Sequence, residues 1–446
     1  MITHTFTGYF SKFFIIVIVA AAAVGCETQP IDSNTAGNTQ SVNTAGTPAP
    51  PAQPAQPNPA TANIPVTLPV LDAMFSDETF ANDAKTKLSL TDEQITKLRD
   101  GARDAVLKLG EDATDDQARS TRTATDSARK FMQGILGADK TDQFLAFVRE
   151  RWAGAEQLPD SQKPNSVPTD SRVVVNSPAY RMDVFENGKL VKTYRVGIGY
   201  PEFPLPIGLR RASEIIFNPT WTPPDEPWVK GKFQAGKTVE AGSKDNPLGP
   251  IKIPIGLPSL IHGGKNPARL GTFASHGCVG LTNAQIQDFA LEISALSGTD
   301  LAKADIKDFE KQKKETEHVK LANSVPVELR YETIVVEDGK VHIYRDVYER
   351  GTNTEDNLRR VLEVYGVSLD QLSAPERDAL MTGLEKMAID ATGDPVDTED
   401  SQVNANSSKK NSSKVTRNIK GEKEVIVPVA ALAGKGYPAP VEMMGK

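Results

Sequence analysis

The sequence predicts an α+β protein, in which a mostly β domain follows an N-terminal helical module and precedes a C-terminal helical appendage. Three observations carry this. Apolar residues recur at helical spacing between Leu68 and Trp152, the period falls to two from Arg172, and helical spacing returns after Leu358. At 446 residues the chain has room for two or three domains with sizeable cores. The composition shifts suggest boundaries at 1–25 (leader), 26–66 (tether), 67–155 (helical module), 171–331 (catalytic domain), 332–395 (strand and helix extension) and 396–446 (disordered tail).

The leader begins with positive charge at Lys12 and continues as the apolar run Phe13–Val24. That run is shorter than the roughly 20 residues a membrane span needs, so a secretion signal is expected. It ends in Ala23-Val24-Gly25-Cys26, which resembles a bacterial lipobox and implies lipidation of Cys26. Several acyl chains there would anchor the protein stably, where one chain would not. The alternative is ordinary signal-peptidase cleavage near the alanines. The expected location is the periplasmic side of the envelope, anchored to membrane through lipid. Glu27 after Cys26 leans towards the outer membrane. Residues 26–66 are rich in Asn, Thr, Ala and Pro and bury too little apolar surface to fold.

In the helical module, Thr91 and Gln94 form a capping box, with Leu90 and Ile95 placed as a hydrophobic staple. Ile95, Leu98, Ala102, Val106 and Leu109 then recur on one face, and further helices are expected over Ser127–Leu136 and Thr141–Trp152. Such a stripe reads first as core, with a recognition module as the alternative. Arg172–Asn176, Tyr180–Phe185 and Leu190–Val196 read as strands, the last two joined across Asn187-Gly188, a strong hairpin signal. The segment 218–250 carries Trp221, Trp228 and Phe233 among Pro, Gly and Lys, and reads either as a substrate lid or as a surface loop. Beyond it, Asn283–Leu296 is helical, 300–320 reads as a charged helix of alternating sign, and Val325–Tyr331 returns to strand. A hairpin across Asp338-Gly339, a helix over Leu358–Tyr365 and a Ser373/Glu376 capping box opening a helix to Met387 complete the extension. Residues 397–423 are Ser-, Asn- and Lys-rich and read as disordered.

The chemistry concentrates between Leu260 and Asn283. This stretch holds His262, His276 and Cys278, two of the five histidines and one of the two cysteines. With Cys26 lipidated, Cys278 is the one thiol left in an exported protein, and a lone thiol there is more often a nucleophile than a structural element. A free thiol has a pKa of about 8.5 and needs a base to act near neutrality. His262 and His276 are both candidates, and the flanking glycines allow close backbone approach to a reacting carbonyl.

His262-Gly263, followed by Ser275-His276-Gly277-Cys278-Val279, closely resembles the signature of the YkuD-type L,D-transpeptidases, which remodel bacterial peptidoglycan. Upstream segments (Arg172–Val196, Gly199–Gly208 and Asn218–Pro224) and Val325–Arg330 fall in the family's order, so the likeness covers about one third of the chain. The resemblance implies Cys278 as nucleophile, His262 as general acid/base, and Ser275, His276 and Gly277 as the turn that presents the thiol. Many members carry Arg or Asn where this chain has Gly280, so Lys265 or Arg269 is expected to take over a substrate carboxylate. Gly263, Trp221 and Trp228 complete the expected substrate contacts. The implied reaction is 3→3 cross-linking of peptidoglycan stem peptides through a cysteinyl thioester. Alternatives are L,D-carboxypeptidase action, anchoring of a protein to the wall, or a noncatalytic wall-binding lipoprotein. No cofactor is implied, and scattered His with one Cys lack zinc-ligand spacing. A net charge of −7 with no basic stripe argues against nucleic acid as a partner.

Overall fold

The computed structural model describes residues 63–109, 120–154, 163–222, 237–256, 258–391, 393, 395 and 415–445. The leader, Cys26, residues 26–62 of the tether and Trp228 lie outside them; the last tether residues are corrected, since Ile64 and Val66 are buried in the core of the helical module.

Five helices form the N-terminal module: α1 (Leu68–Phe75), α2 (Glu78–Leu88), α3 (Asp92–Leu107), α4 (Thr121–Leu136) and α5 (Ala138–Ala153). The Thr91/Gln94 capping box closes the start of α3 with both reciprocal hydrogen bonds. Helix α4 begins at Thr121, upstream of the expected Ser127, because the Ser120 hydroxyl accepts from the Thr123 amide and caps it there. The module has its own core, in which Phe80 packs against Phe144 and Phe147 beside Leu98 and Trp152. Gly101 lies under the Phe131 ring, where any β-carbon would collide, so α3 and α4 can approach closely.

The central domain is one mixed eight-stranded sheet of order β3-β2-β1-β10-β5-β6-β7-β9. Its strands are β1 (Arg172–Asn176), β2 (Arg181–Glu186), β3 (Lys189–Arg195), β5 (Gly208–Phe217), β6 (Ile251–Pro254), β7 (Leu260–His262), β9 (Val279–Gly280) and β10 (Glu317–Arg330). The β2–β3 hairpin turns at Asn187 (φ +49°) and Gly188 (φ +80°), as the Asn-Gly pair requires. A short parallel pair, β4 (Ile198–Gly199) with β8 (Phe273–Ser275), flanks the sheet. Helix α6 (Asn283–Ser297) closes the core with Ile286, Phe289, Ala290 and Ile293.

The expected charged helix over 300–320 is corrected by the structure. Only Lys303–Lys311 is helical (α7), and Glu317–Lys320 joins β10, pairing with β5. Val319 packs on the core and His318 pairs with Glu214, so pairing with a neighbouring strand overrides local charge pattern.

The extension contains β11 (Ile334–Glu337), β12 (Lys340–Tyr344), α8 (Glu355–Val364) and α9 (Ala374–Met387). Its sheet is completed by β13 (Glu424–Pro428) from the region expected to be disordered. That expectation for 396–446 is corrected over residues 415–445. Val415 and Thr416 are fully buried, Tyr437 packs on Phe185 with its hydroxyl donating to Asp183, and Met444 exchanges backbone hydrogen bonds with β3. Sparse apolar residues suffice because each meets a surface prepared on the domains already folded.

Loop 199–206 joins these parts. The Glu202 carbonyl accepts from Thr67 Oγ1 at 2.8 Å and the Pro201 carbonyl from Thr121 Oγ1 at 3.1 Å, both from the helical module. The Gly199 carbonyl accepts from Tyr348 Oη at 2.9 Å. The buried Glu202 carboxylate accepts from the Thr416 amide and hydroxyl, tying down residues 415–417.

Candidate active site

His262 and Cys278 are brought together by β7 and β9, which run parallel with Ile261 opposite Val279 and His262 opposite Gly280. Side chains two apart on a strand share a face, so Cys278, just before β9, lies one diagonal from the His262 ring. Sixteen residues of sequence are closed by one strand pairing, and the intervening segment forms the loop 263–272 and β8.

The His262 ring is buried. Its Nδ1 lies 2.8 Å from the Gly263 carbonyl. A carbonyl can only accept, so Nδ1 carries the proton of the neutral ring and Nε2 keeps the lone pair. Burial, reinforced by the Lys265 ammonium, pushes the His262 pKa down to about 3, against partial opposition from the Gly263 and Leu248 carbonyls. Cys278 is half-buried, and burial pushes its thiol up. The Leu260 backbone and the Lys265 charge pull it the other way. Both groups therefore rest neutral, as thiol and imidazole, near pH 7.

The turn that carries Cys278 is held by Ser275. Its hydroxyl donates to the Cys278 carbonyl at 2.5 Å and accepts from the Cys278 amide at 3.0 Å. Gly277 adopts φ +89°, a conformation glycine reaches without strain, and its carbonyl accepts from the buried Ser259 hydroxyl at 3.1 Å. The Cys278 amide is thus already engaged by Ser275.

His276 turns away from the role of base. Its ring sits edge-on to Tyr200 (5.0 Å between centroids) and Phe203 (4.7 Å), where burial, Lys265 and Arg417 push its pKa to about 3. It is a packing wedge between the catalytic turn and loop 199–206. Gly199 permits that contact, since a β-carbon there would strike the Phe203 carbonyl.

The two candidate cations separate clearly. The stem of Lys265 crosses Gly280, where a β-carbon would fall 2.8 Å from both Cγ and Cε. Its charge acts on His262, His276 and Cys278 alike. Arg269, in a short 3-10 turn, spends its guanidinium on the Phe273 carbonyl at 2.5 Å and so braces its own loop. Gly263 is buried against Ile286 and Pro250, so it shapes the His262 turn and offers its carbonyl to the ring, with no open face for substrate. Trp221 pairs with Val239 at the base of the aromatic segment. Ser259, Leu248, Glu202 and Arg417 carried no sequence signal, because each acts through a contact made by folding.

Among the described residues no helix is long and apolar enough to cross a membrane, and no group of three or more His, Cys, Asp or Glu could hold a metal.

Residues 170–301 match the family model of the YkuD L,D-transpeptidase catalytic domain. No curated protein matches the chain. Among solved structures, the catalytic domain of the E. faecium L,D-transpeptidase is 15% identical over 37% of this chain and 100% of that one, with a TM-score of 0.24. A serine variant of the Enterococcus faecium L,D-transpeptidase is 14% identical over 36% of this chain and 50% of its own, with a TM-score of 0.21. The Mycobacterium smegmatis L,D-transpeptidase is 12% identical over 36% and 58%, with a TM-score of 0.21. The chain thus spans about half the length of several structures it matches.

Proposed function

We propose, on the premise that residues 170–301 are an L,D-transpeptidase catalytic domain of the YkuD family, that the protein cross-links peptidoglycan stem peptides through a thioester on Cys278. The observation that carries this reading is the parallel β7–β9 pairing, which sets a buried neutral imidazole one diagonal from the domain's single thiol.

In the proposed cycle His262 Nε2 takes the thiol proton as sulfur attacks the donor carbonyl. Proton transfer and attack are concerted, since neither a free thiolate nor a free imidazolium is favoured in this buried site. The tetrahedral oxyanion is met by the Gly277 amide, joined by the Cys278 amide once Ser275 releases it. The imidazolium then returns the proton to the leaving amine, and a thioester remains. A side-chain amine of a second stem attacks that thioester, gives its proton to His262 and restores the thiol, leaving a 3→3 link. Water in place of the amine would give carboxypeptidase action. Lys265, lying over Gly280, holds the donor carboxylate.

The protein is further proposed to be exported and held to membrane through lipid on Cys26, with residues 26–62 as tether. The deciding experiment is intact-mass spectrometry with a carbapenem, followed by incubation with purified muropeptides. A single adduct on the wild type, its loss in Cys278→Ala, and cross-linked dimers are expected. An adduct on the alanine variant, or none on the wild type, would refute the assignment.

A further inference from the structure

Beneath residues 415–423, away from the thiol, three cations converge. The Arg345 amide donates to the Lys423 carbonyl at 3.0 Å, extending the β12–β13 register and setting two positive residues opposite one another. Like charges so placed repel. The Lys423 ammonium donates to the Gly271 carbonyl at 2.5 Å, and the Arg195 guanidinium packs against the same glycine. Arg195 and Arg345 both act electrostatically on Lys423 and on Tyr180. Among the described residues Asp390 is the acid acting on Arg345, one negative charge against three positive.

Arg345 has no exposed surface. Its Nη1 reaches the carbonyls of Asp390 and Lys420, yet Nε and Nη2 have no hydrogen-bond partner among the described residues. These two atoms form one edge of the guanidinium, the edge that grips an oxyanion with two parallel hydrogen bonds. The buried Tyr180 hydroxyl is likewise without a partner there, on a residue held at φ +50°. The Lys423 ammonium lies 5.6 Å from its ring. Gly421, at φ +81°, leaves space beside Nη2 that a β-carbon would enter, at 3.1 Å. Buried donors left unmade are costly, and two on one guanidinium edge beside a third on tyrosine point to a missing acceptor.

We propose that Arg345, Tyr180 and Lys423 bind a small tetrahedral oxyanion of the phosphate or sulfate class. Two oxygens meet the Arg345 edge, and the others meet the tyrosine hydroxyl and the ammonium. Burial of Arg345 restricts the site to a small ion, and the overall charge of −7 disfavours anion uptake elsewhere on the surface.

The test is calorimetric titration of the full chain with inorganic phosphate at constant ionic strength, with chloride as control. One saturable site is expected, with binding at least about tenfold weaker in Lys423→Met and several-fold weaker in Tyr180→Phe, which removes only the hydroxyl. Both variants should keep the wild-type circular dichroism, so that weaker binding is not read from an unfolded chain. A bulky phosphodiester, bis(4-nitrophenyl) phosphate, should not bind. Absence of saturable phosphate binding, binding unchanged in both variants, or equal binding of the diester would each overturn the proposal.

Discussion

Lowering the pH from 7 to 5 should leave acylation of Cys278 almost unchanged, which separates a buried imidazole base from an ordinary one. A histidine at its usual value of 6.5 is about 76% neutral at pH 7 and about 3% at pH 5, a loss of about 25-fold in competent base. His262, held near 3 by burial and Lys265, stays almost wholly neutral over that range. The assay is single-turnover acylation by a carbapenem, followed by loss of its ultraviolet absorbance between pH 4.5 and 8. Stability should move while acylation does not. The folded ring resists a proton that the unfolded ring accepts below 6.5, so stability is complete above 6.5 and falls as pH drops towards 3. At pH 5 that amounts to about 2 kcal/mol for His262 and a similar sum for His276, which shares the depression. The urea midpoint should therefore drop at pH 5, and His276→Phe should recover part of the loss. An acid limb in the acylation rate with a midpoint near 6.5 would refute the reasoning, because it would mean a solvated base.

Lys265→Ala should raise KM for a stem-peptide donor about tenfold or more, the worth of one charged hydrogen bond, while Arg269→Ala leaves KM unchanged. Equal effects from both would show that neither reads the carboxylate. Glu202→Ala should cost about 2–3 kcal/mol by removing the buried acceptor of the Thr416 amide and hydroxyl, and should speed tryptic cleavage at Lys420 and Lys423. Unaltered proteolysis would show that residues 415–423 are held by packing alone. Cys26→Ala should abolish metabolic labelling with a radioactive fatty acid and release the protein from the membrane fraction; labelling that persists would remove the anchor.

Much of the architecture follows from local rules. The Thr91/Gln94 and Ser373/Glu376 boxes open helices where their spacing says they should, since each is satisfied within a single turn. Asn187-Gly188 makes its hairpin because only a positive φ at both positions matches strand twist. The chemistry of Cys278 and the turn around it is legible for the same reason, a thiol bracketed by glycine and histidine within a few residues. Glu317–Lys320 and residues 415–445 were misread because their conformation depends on partners distant in the chain. Val319 finds the core beside β5, and Val415 and Thr416 find a groove beside Glu202.

What the sequence determined by itself was the position of the single mature thiol proposed to react, most of the helical and strand segments, and the family signature over one third of the chain. What only the tertiary structure decided was where each histidine sits. The β7–β9 register puts His262 and Cys278 on one face, and Tyr200 and Phe203 take up His276. It also laid the Lys265 stem over Gly280 and turned the Arg269 guanidinium to the Phe273 carbonyl. The physical reason is common to both: a side chain's type is written in one residue, whereas its burial, neighbours and proton affinity belong to the space that many distant residues enclose.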